Sequence, residues 1–354
     1  MYGVGIGRGD IIGPMRATVR DVADLAGVSA KTVSNVINGV VPVRPETRER
    51  VEKALAALDY VPNLSARGLR NGRSGNIALA LPDLSTPYSA ELARWFVELA
   101  HDRGWAVQLE QSGNNGIREA ELLSRARTHL VDGLVLNPVL LDSSAIAEAG
   151  EAGELPPTVV IGEVEPSGVD QVHIDSRAAA REMTEHLIAS GRRRIAIIGA
   201  SDEQFRSATS LLRTQGYHDA LEAAGLARTP ELELVVAQWT PAAAAAELAR
   251  FLDSGIPLPD AVFCFTDSMA LGALHVLAER GLAVPRDVAV VGFDDVAEAA
   301  FAIPALTTVR IDKRAIADAA LTALERRIAE RDAPGRVTVV PHTLVHRASV
   351  VARD

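Results

Sequence analysis

Two sets of residues in this 354-residue chain are of the types that recognise other molecules. The first is compact: Ser29, Ala30, Lys31, Thr32, Ser34, Asn35 and Asn38 fall in one short stretch. On helical spacing Ala30, Lys31, Ser34 and Asn35 face away from the apolar stripe Val33, Val36 and Ile37. Lys31 and Asn35 carry donors that reach base edges, and Ala30 offers only an apolar contact, for instance to a thymine methyl. Ser29, Thr32, Ser34 and Asn38 are short hydrogen-bonders suited to phosphate oxygens. The second set is dispersed: Tyr88 in Pro82-Asp-Leu-Ser-Thr-Pro-Tyr88, then Asn137-Pro138, Gly162-Glu163, Arg213, Trp239, Thr266-Asp267 and Phe293-Asp294-Asp295. An arginine fork, a carboxylate, an amide and a flat aromatic suit a polyhydroxylated ring: the polar groups take hydroxyls and the aromatic covers an apolar face. Singly, each of these residues is ordinary loop polarity; what unites them is that they follow strand-like runs.

The first set needs a scaffold of short helices. Thr18-Val-Arg-Asp-Val-Ala-Asp-Leu-Ala26 reads as a helix with Thr18 as N-cap and Asp21 near its positive end. Val22, Leu25 and Ala26 are expected on its inner face, and Gly27 ends it. Ser29 restarts the chain as N-cap of a second helix over Ala30–Asn38. Two helices joined this way form a helix-turn-helix, whose second helix enters the major groove; a hairpin of some other bundle is the alternative on these residues alone. A third helix is expected from Pro45 to Leu58, with Val51, Leu55 and Leu58 inward and Arg48, Arg50 and Lys53 among its polar positions. The segment Tyr60–Arg73 holds two glycines and is too short for a stable isolated helix, so it reads as a conditional hinge. Leu69 stands among Arg67, Arg70 and Arg73, the arrangement of an apolar wedge in a minor groove. A plain linker with a buried leucine is the other reading.

The second set needs strand ends. Strands are expected at Ile77–Leu81, Val107–Glu110, Gly133–Leu136, Val159–Ile161, Ile195–Gly199, Leu234–Val236, Ala261–Phe265 and Val288–Phe293. Helical patterns lie between them, at Tyr88–Arg103, Arg118–Leu130, Arg177–Ser190, Leu211–Ala224, Ala242–Asp253 and Met269–Arg280. This alternation predicts an α/β body of doubly wound parallel sheets, and its length predicts two lobes. Helix Lys313–Arg331 and segment Val337–Val340 are expected to complete the lobes, so that the chain crosses between them more than once. Ligands in such folds sit beyond the carboxyl ends of strands, which is where the second set lies.

Charge separates the two parts. Arg16–Gly75 holds ten Lys+Arg against six Asp+Glu, whereas Asn76–Asp354 holds 25 against 39. A basic head on an acidic body is expected when only the head meets phosphates. No apolar run is long enough for a membrane span, and the Gly-rich first residues are unlike a secretory signal, so a cytoplasmic protein with no membrane partner is expected. One cysteine, Cys264, excludes a disulfide framework and a multi-cysteine zinc site. The body has no Gly-Lys-Ser/Thr phosphate loop, no GxSxG elbow and no His-Glu-x-x-His pair, and its histidines, including His173, His186 and His275, lack metal spacing. Neither an enzyme nor a bound metal or cofactor is expected.

The head resembles the lactose/galactose-repressor (LacI/GalR) family. The resemblance rests on Thr18-Val-x-Asp-Val-Ala-x-x-Ala-Gly-Val-Ser-x-x-Thr-Val-Ser-x-Val-Ile-Asn38, Val43, Thr47-Arg-x-Arg-Val51, Leu58-x-Tyr-x-Pro-Asn63 and Ala66-Arg-x-Leu69. It continues more weakly in the body, at Asp132-Gly-Leu-x-Leu136, Asp267-x-Met-Ala-Leu-Gly-Ala273, Val284-Pro-x-Asp-Val288, Val291-Gly-Phe-Asp-Asp295 and Pro304-x-Leu-Thr-Thr-Val309, which look like a relative of periplasmic sugar-binding proteins. The resemblance implies a homodimeric transcriptional repressor on a pseudo-palindromic duplex operator, switched by a small molecule. It implies DNA contacts from Thr18, Ser29, Ala30, Lys31, Thr32, Ser34, Asn35, Asn38, Tyr60, Asn63, Ala66 and Leu69, with Leu69 of each chain wedged into the central step. It implies effector contacts from Tyr88, Asn137, Arg213, Trp239, Thr266 and Asp294. A sugar is the expected effector; a purine, a nucleoside or a protein co-regulator is the alternative. Asn35 stands where many members have arginine, Thr266 where asparagine is usual, and Gly162-Glu163 where an aspartate pair is usual. The expected organisation is a disordered extension over 1–15 (Met15 being a second candidate start), a DNA-binding domain over 16–62, a hinge over 63–75 and an effector-binding and dimerisation domain over 76–354.

Overall fold

The computed structural model describes residues 17–38, 41–60, 74–113, 115–123, 130–139, 155–163, 168–200 and 207–352. The chain divides into two compact units, Met1–Gly72 and Arg73–Asp354.

The described part of the first unit is three helices: α1 (Val19–Ala26), α2 (Ala30–Asn38) and α3 (Pro45–Ala57). Local chemistry fixes their ends. Asp21 N–H donates to Thr18 Oγ1 at 3.3 Å while Thr18 N–H donates to Asp21 Oδ2 at 2.7 Å, a reciprocal capping box. The Thr18 hydroxyl and amide hold the Asp21 carboxyl below its ordinary value. Gly27, at φ 61°, closes α1 in the left-handed region that glycine enters without steric cost. Val22, Ala23, Ala26, Val33, Val36, Val51 and Ala54 form the core. Leu25, expected inside, is 57% exposed. At 100° per residue the stripe centres between Val22, Ala23 and Ala26, and Leu25 falls off its edge. Arg50, expected simply as a polar position of α3, donates through Nε and Nη2 to the Ala26 carbonyl and through Nη2 to that of Gly27. It thereby caps the C-terminus of α1 and ties α3 to it.

The second unit has two lobes, each a six-stranded sheet. In the first the strands are β1 (Asn76–Leu81), β2 (Ala106–Gln111), β3 (Gly133–Leu136), β4 (Thr158–Ile161), β5 (Asp170–His173) and β11 (Val337–Val339). They run parallel in the order β11-β5-β4-β3-β1-β2. The second sheet holds β6 (Ile195–Ile198), β7 (Glu233–Leu234), β8 (Ala261–Cys264), β9 (Ala289–Asp294), β10 (Thr307–Ile311) and β12 (His342–Val345), in the order β12-β10-β9-β8-β6-β7. Only β12 is antiparallel. Both lobes thus start from the same arrangement, with the second strand outside the first and the third on its other side.

Helices cover the sheets: α4 (Pro87–Asp102), α5 (Gly116–Leu122), α6 (Ser176–Ala189), α7 (Ala208–Ala223), α8 (Pro241–Asp253), α9 (Asp267–Glu279), α10 (Ala297–Phe301) and α11 (Lys313–Ala329). The expected helix Arg118–Leu130 is described only as Gly116–Leu122, and residues 124–129 lie outside the described segments. The expected strand Leu234–Val236 is Glu233–Leu234. Three further strands, β5, β10 and β12, carry too many polar residues to read as apolar runs. The chain crosses between lobes three times, before α6, at α11 and between β11 and β12. A close helix pair anchors the second lobe: a Cβ on Gly216 of α7 would lie 2.2 Å from the Arg177 carbonyl of α6. The same packing buries Tyr217, whose hydroxyl donates to Ile195 O at 2.8 Å.

Candidate functional site

In the head, α2 is started by Ser29, whose Oγ accepts the Thr32 N–H at 3.1 Å and lies 2.9 Å from the Thr32 hydroxyl. Those two hydroxyls therefore have local work before any phosphate arrives. Lys31 is exposed, Ser34 and Asn35 are half-buried, and Ala30 packs partly against the helical core. Ala30 accordingly presents less surface than an outward position implies. Thr18 is exposed and Tyr60 packs against the same core. The Asn38 side chain, Asn63, Ala66 and Leu69 lie outside the described residues.

The body gathers most of the second set at the carboxyl ends of its strands. Tyr88 is in the first turn of α4 after β1, and Asn137 follows β3. Arg213 lies on α7 after β6, Thr266 follows β8 and Asp294 ends β9. In each lobe the chain reverses its winding between the first and third strands, the switch point at which such sheets bind ligands.

Arg213 is the centre of the group. Ser207 caps α7, so the helix begins at Ala208 and Arg213 sits in its second turn rather than at its start. The guanidinium is 5% exposed. It donates through Nη1 to the Phe265 carbonyl, and its carbon lies 3.5 Å above the Phe293 ring and 5.9 Å from that of Trp239. Its Nε is buried without a hydrogen-bond partner among the described residues. Burial lowers its pKa, and the charges of Asp294, Glu163, Tyr88 and Asp267 oppose that shift. Asp294 is 5% exposed, and burial raises its carboxyl against the pull of Arg213 and Lys313. Tyr88, half-buried, is pushed up by burial and by the Asp294 charge. Tyr88 belongs to the first lobe and Arg213 and Asp294 to the second, so their charges interact from one lobe to the other.

Other side chains are placed by their own bonds. Trp239 is half-buried, edge-on to Phe265 at 6.4 Å between ring centres. Asn137 donates through Nδ2 to Ile161 O at 2.7 Å, which fixes the amide. Thr266 caps α9, its Oγ1 accepting from Met269 N–H at 3.2 Å. Glu163 accepts from the Ser176 N–H at 2.9 Å, so this first-lobe carboxylate reaches the N-terminus of a second-lobe helix. Below the site, Asp267 is fully buried; it accepts from Val296 N–H at 2.9 Å and the Thr308 hydroxyl at 2.6 Å. Burial, then the Asp294 charge, raises its carboxyl well above the ordinary range. A Cβ on Gly292 would lie 2.1 Å from Asp267 Oδ1, so only glycine leaves room for this carboxylate.

Two contributors have no part assigned from the sequence. Phe293 supplies the platform under Arg213. Lys313 donates to the Asp294 carbonyl at 2.6 Å. Phe293 is visible as a loop neighbour of Asp294; nothing local marks Lys313. Among the described residues no group of histidine, cysteine, aspartate or glutamate could hold a metal ion, and no helix is long and apolar enough to cross a membrane.

A helical head and a bilobed α/β body with a polar and aromatic cluster shared between its lobes fit a ligand-responsive DNA-binding regulator. Comparison with known proteins agrees. Residues 18–63 match the model for bacterial regulatory proteins of the lacI family, and residues 184–350 match the periplasmic binding protein-like domain. The chain is 31% identical over 334 residues to the HTH-type transcriptional repressor PurR of Histophilus somni, covering 94% of this chain and 99% of that one. It is similar to the structure of the transcriptional regulator CelR in complex with cellobiose (33% identity, TM-score 0.69, 94% of this chain and 100% of that one). It is also similar to the lac repressor dimer bound to operator and the anti-inducer ONPF (28% identity, TM-score 0.84, 95% and 99%). The chain belongs to the LacI family of bacterial regulatory proteins. It is a transcriptional regulator and not an enzyme.

Proposed function

We propose that this chain is a homodimeric repressor whose head grips a pseudo-palindromic duplex operator and whose cleft binds a small carbohydrate that sets the strength of that grip. Arg213 carries the ligand half of the reading: a buried guanidinium with an idle Nε, stacked on Phe293 and flanked by Trp239. Such a cation calls for a polar ligand that also offers an apolar face, as a sugar ring does. The relative CelR, in complex with cellobiose, supports the choice of a carbohydrate. The head half rests on α2, with Lys31 exposed and Asn35 beside it on a capped helix. Ligand binding changes the angle between lobes, and with it the spacing of the two hinge segments in the dimer. A coupling of about 1–3 kcal/mol is enough for a useful switch.

A screen of thermal midpoints followed by calorimetry tests the ligand class. Cellobiose, glucose and galactose are compared with adenosine, hypoxanthine and guanine on the full-length protein. A sugar is expected to raise the midpoint, because only a binder of the native state does so. A nucleoside or free base as the sole binder would move the effector to that class, and a flat response to all six would point to a protein co-regulator.

The second lobe also offers a surface for the second copy. Phe301, 84% exposed, lines a groove with Leu271, Ala297, Glu298 and Ala302, and Ile303, 94% exposed, follows it in the chain. Large apolar side chains this bare mark an interaction surface, and a twofold dimer uses one such patch on both copies. The lac repressor relative is a dimer on its operator. Replacing Phe301 and Ile303 together by aspartate is expected to convert the dimer to monomer in analytical ultracentrifugation at micromolar concentration. An unchanged sedimentation coefficient would place the dimer contact elsewhere.

A further inference from the structure

Lys313 opens α11, which packs on α4 and the first sheet, yet its ammonium is directed at the second lobe. The side chain is 6% exposed and makes three contacts: Glu91 Oε2 at 3.0 Å and the carbonyls of Asp294 at 2.6 Å and Asp295 at 3.3 Å. An ammonium has three hydrogens, so its donor capacity is full. Glu91, on α4, uses its other oxygen to accept the backbone N–H of Ala297 at 2.9 Å. Glu91 on the first lobe and Lys313 at the crossover just past β10 therefore hold backbone groups of Asp294, Asp295 and Ala297, the loop that leaves β9 of the second.

That loop needs holding. Asp294 has φ 111° and Asp295 φ 49°, two successive side-chain-bearing residues at positive φ. The first is a conformation that residues with a Cβ rarely adopt, and it persists only where its surroundings impose it. The gripped carbonyls belong to these same two residues. Within its own lobe Asp267 holds Val296 N–H, Arg310 and Arg347 hold the Asp295 carboxylate at 2.6 and 2.7 Å, and the Asp267 backbone N–H holds the Asp294 carboxylate. Glu91 adds the contact that comes from the other lobe.

We propose that Glu91 and Lys313 are positioning residues: an inter-lobe clamp that imposes the strained turn at Asp294–Asp295 and so aims the Asp294 carboxylate into the cleft. Opening the lobes draws Glu91 away from Ala297 N–H and from Lys313, and so loosens the turn that carries Asp294. Closing them restores its aim. A ligand that engages Asp294 then favours the clamped form, because binding and clamping share one equilibrium. The significance for regulation rests on the cleft reading above; the clamp itself is tested without ligand.

The experiment is hydrogen–deuterium exchange with mass spectrometry on the ligand-free, full-length protein. The variants are Glu91→Leu, Lys313→Met, their combination and Glu91→Asp. Glu91→Leu strands the buried ammonium of Lys313 and lowers the melting midpoint; Lys313→Met leaves the half-buried Glu91 carboxylate unpaired and lowers it less; the combination removes both charges and recovers part of the loss. The clamp predicts that amides over 294–301 exchange at least about tenfold faster in all four variants, the combination included, while those of β8 do not change. Glu91→Asp keeps the charge and shortens its reach by one methylene, so it reads the loop in a chain that stays folded. If the combination or Glu91→Asp exchanges these amides at the wild-type rate, the pair only stabilises the fold and the proposal is overturned. That result would leave the cleft standing if a sugar still binds. Conversely, a ligand screen without a binder would not alter the exchange result.

Discussion

Arg213→Ala removes the response to the ligand and leaves operator binding in its absence intact. The guanidinium is a buried cation with an Nε that has no partner among the described residues, 3.5 Å over the Phe293 ring and 5.9 Å from that of Trp239. A hydrogen bond to a charged group is worth about 1.5–3 kcal/mol, so losing the fork weakens ligand binding by roughly 10- to 150-fold. The side chains expected to meet the operator lie in the head, a compact unit separate from the one that holds Arg213. Calorimetry for the ligand and fluorescence anisotropy for the operator read the two effects separately. Arg213→Lys controls for folding: it keeps the charge, loses the planar fork, and is expected to bind ligand almost as poorly as alanine. Normal ligand affinity in either variant would remove Arg213 from the site.

Val33→Asp has the opposite signature. Val33 is fully buried among the seven apolar residues of the head core. Burying an unpaired carboxylate there costs several kcal/mol, about the whole stability of so small a core. The head is expected to unfold and operator binding to fall to background. The body has its own core, so its melting transition and its ligand affinity do not move. Differential scanning calorimetry with the same two binding assays decides the matter. Wild-type operator affinity would show that α2 is not the reading element.

The two predictions draw on features the sequence displays unequally. In the head, Thr18 with Asp21, Gly27 and Ser29 with Thr32 are visible because each acts within a few residues. Arg50 was not, because its acceptors lie 23 and 24 residues away on α1 and the turn after it. In the body, β1, β3, β4, β6, β8 and β9 are apolar runs because both faces of a central parallel strand are covered. Strand β10 also lies inside its sheet, but the buried Thr307 and Thr308 hydroxyls are satisfied by the Arg347 carbonyl and the Asp267 carboxylate, contacts that arise only after folding. Strand β12 forms an edge and β5 opens on Asp170, which is buried between Arg326 and Arg327. The same division holds in the cleft. Arg213, Trp239 and Asp294 stand out as unusual residues near strand ends. Glu91 and Lys313 do not, because their meaning depends on α11 returning to the first lobe after β10 has run through the second.

The coupling of cleft to head is tested most directly by anisotropy of the full-length protein on a genomic palindrome and on a scrambled duplex of equal length. The titrations are run at several salt concentrations, with and without the sugar that raises the melting midpoint. A preference of at least about 10³-fold for the palindrome is expected, together with a shift of roughly 5- to 150-fold on adding the sugar. Equal affinity for the two duplexes, or a palindrome affinity that the bound sugar leaves unmoved, would contradict it.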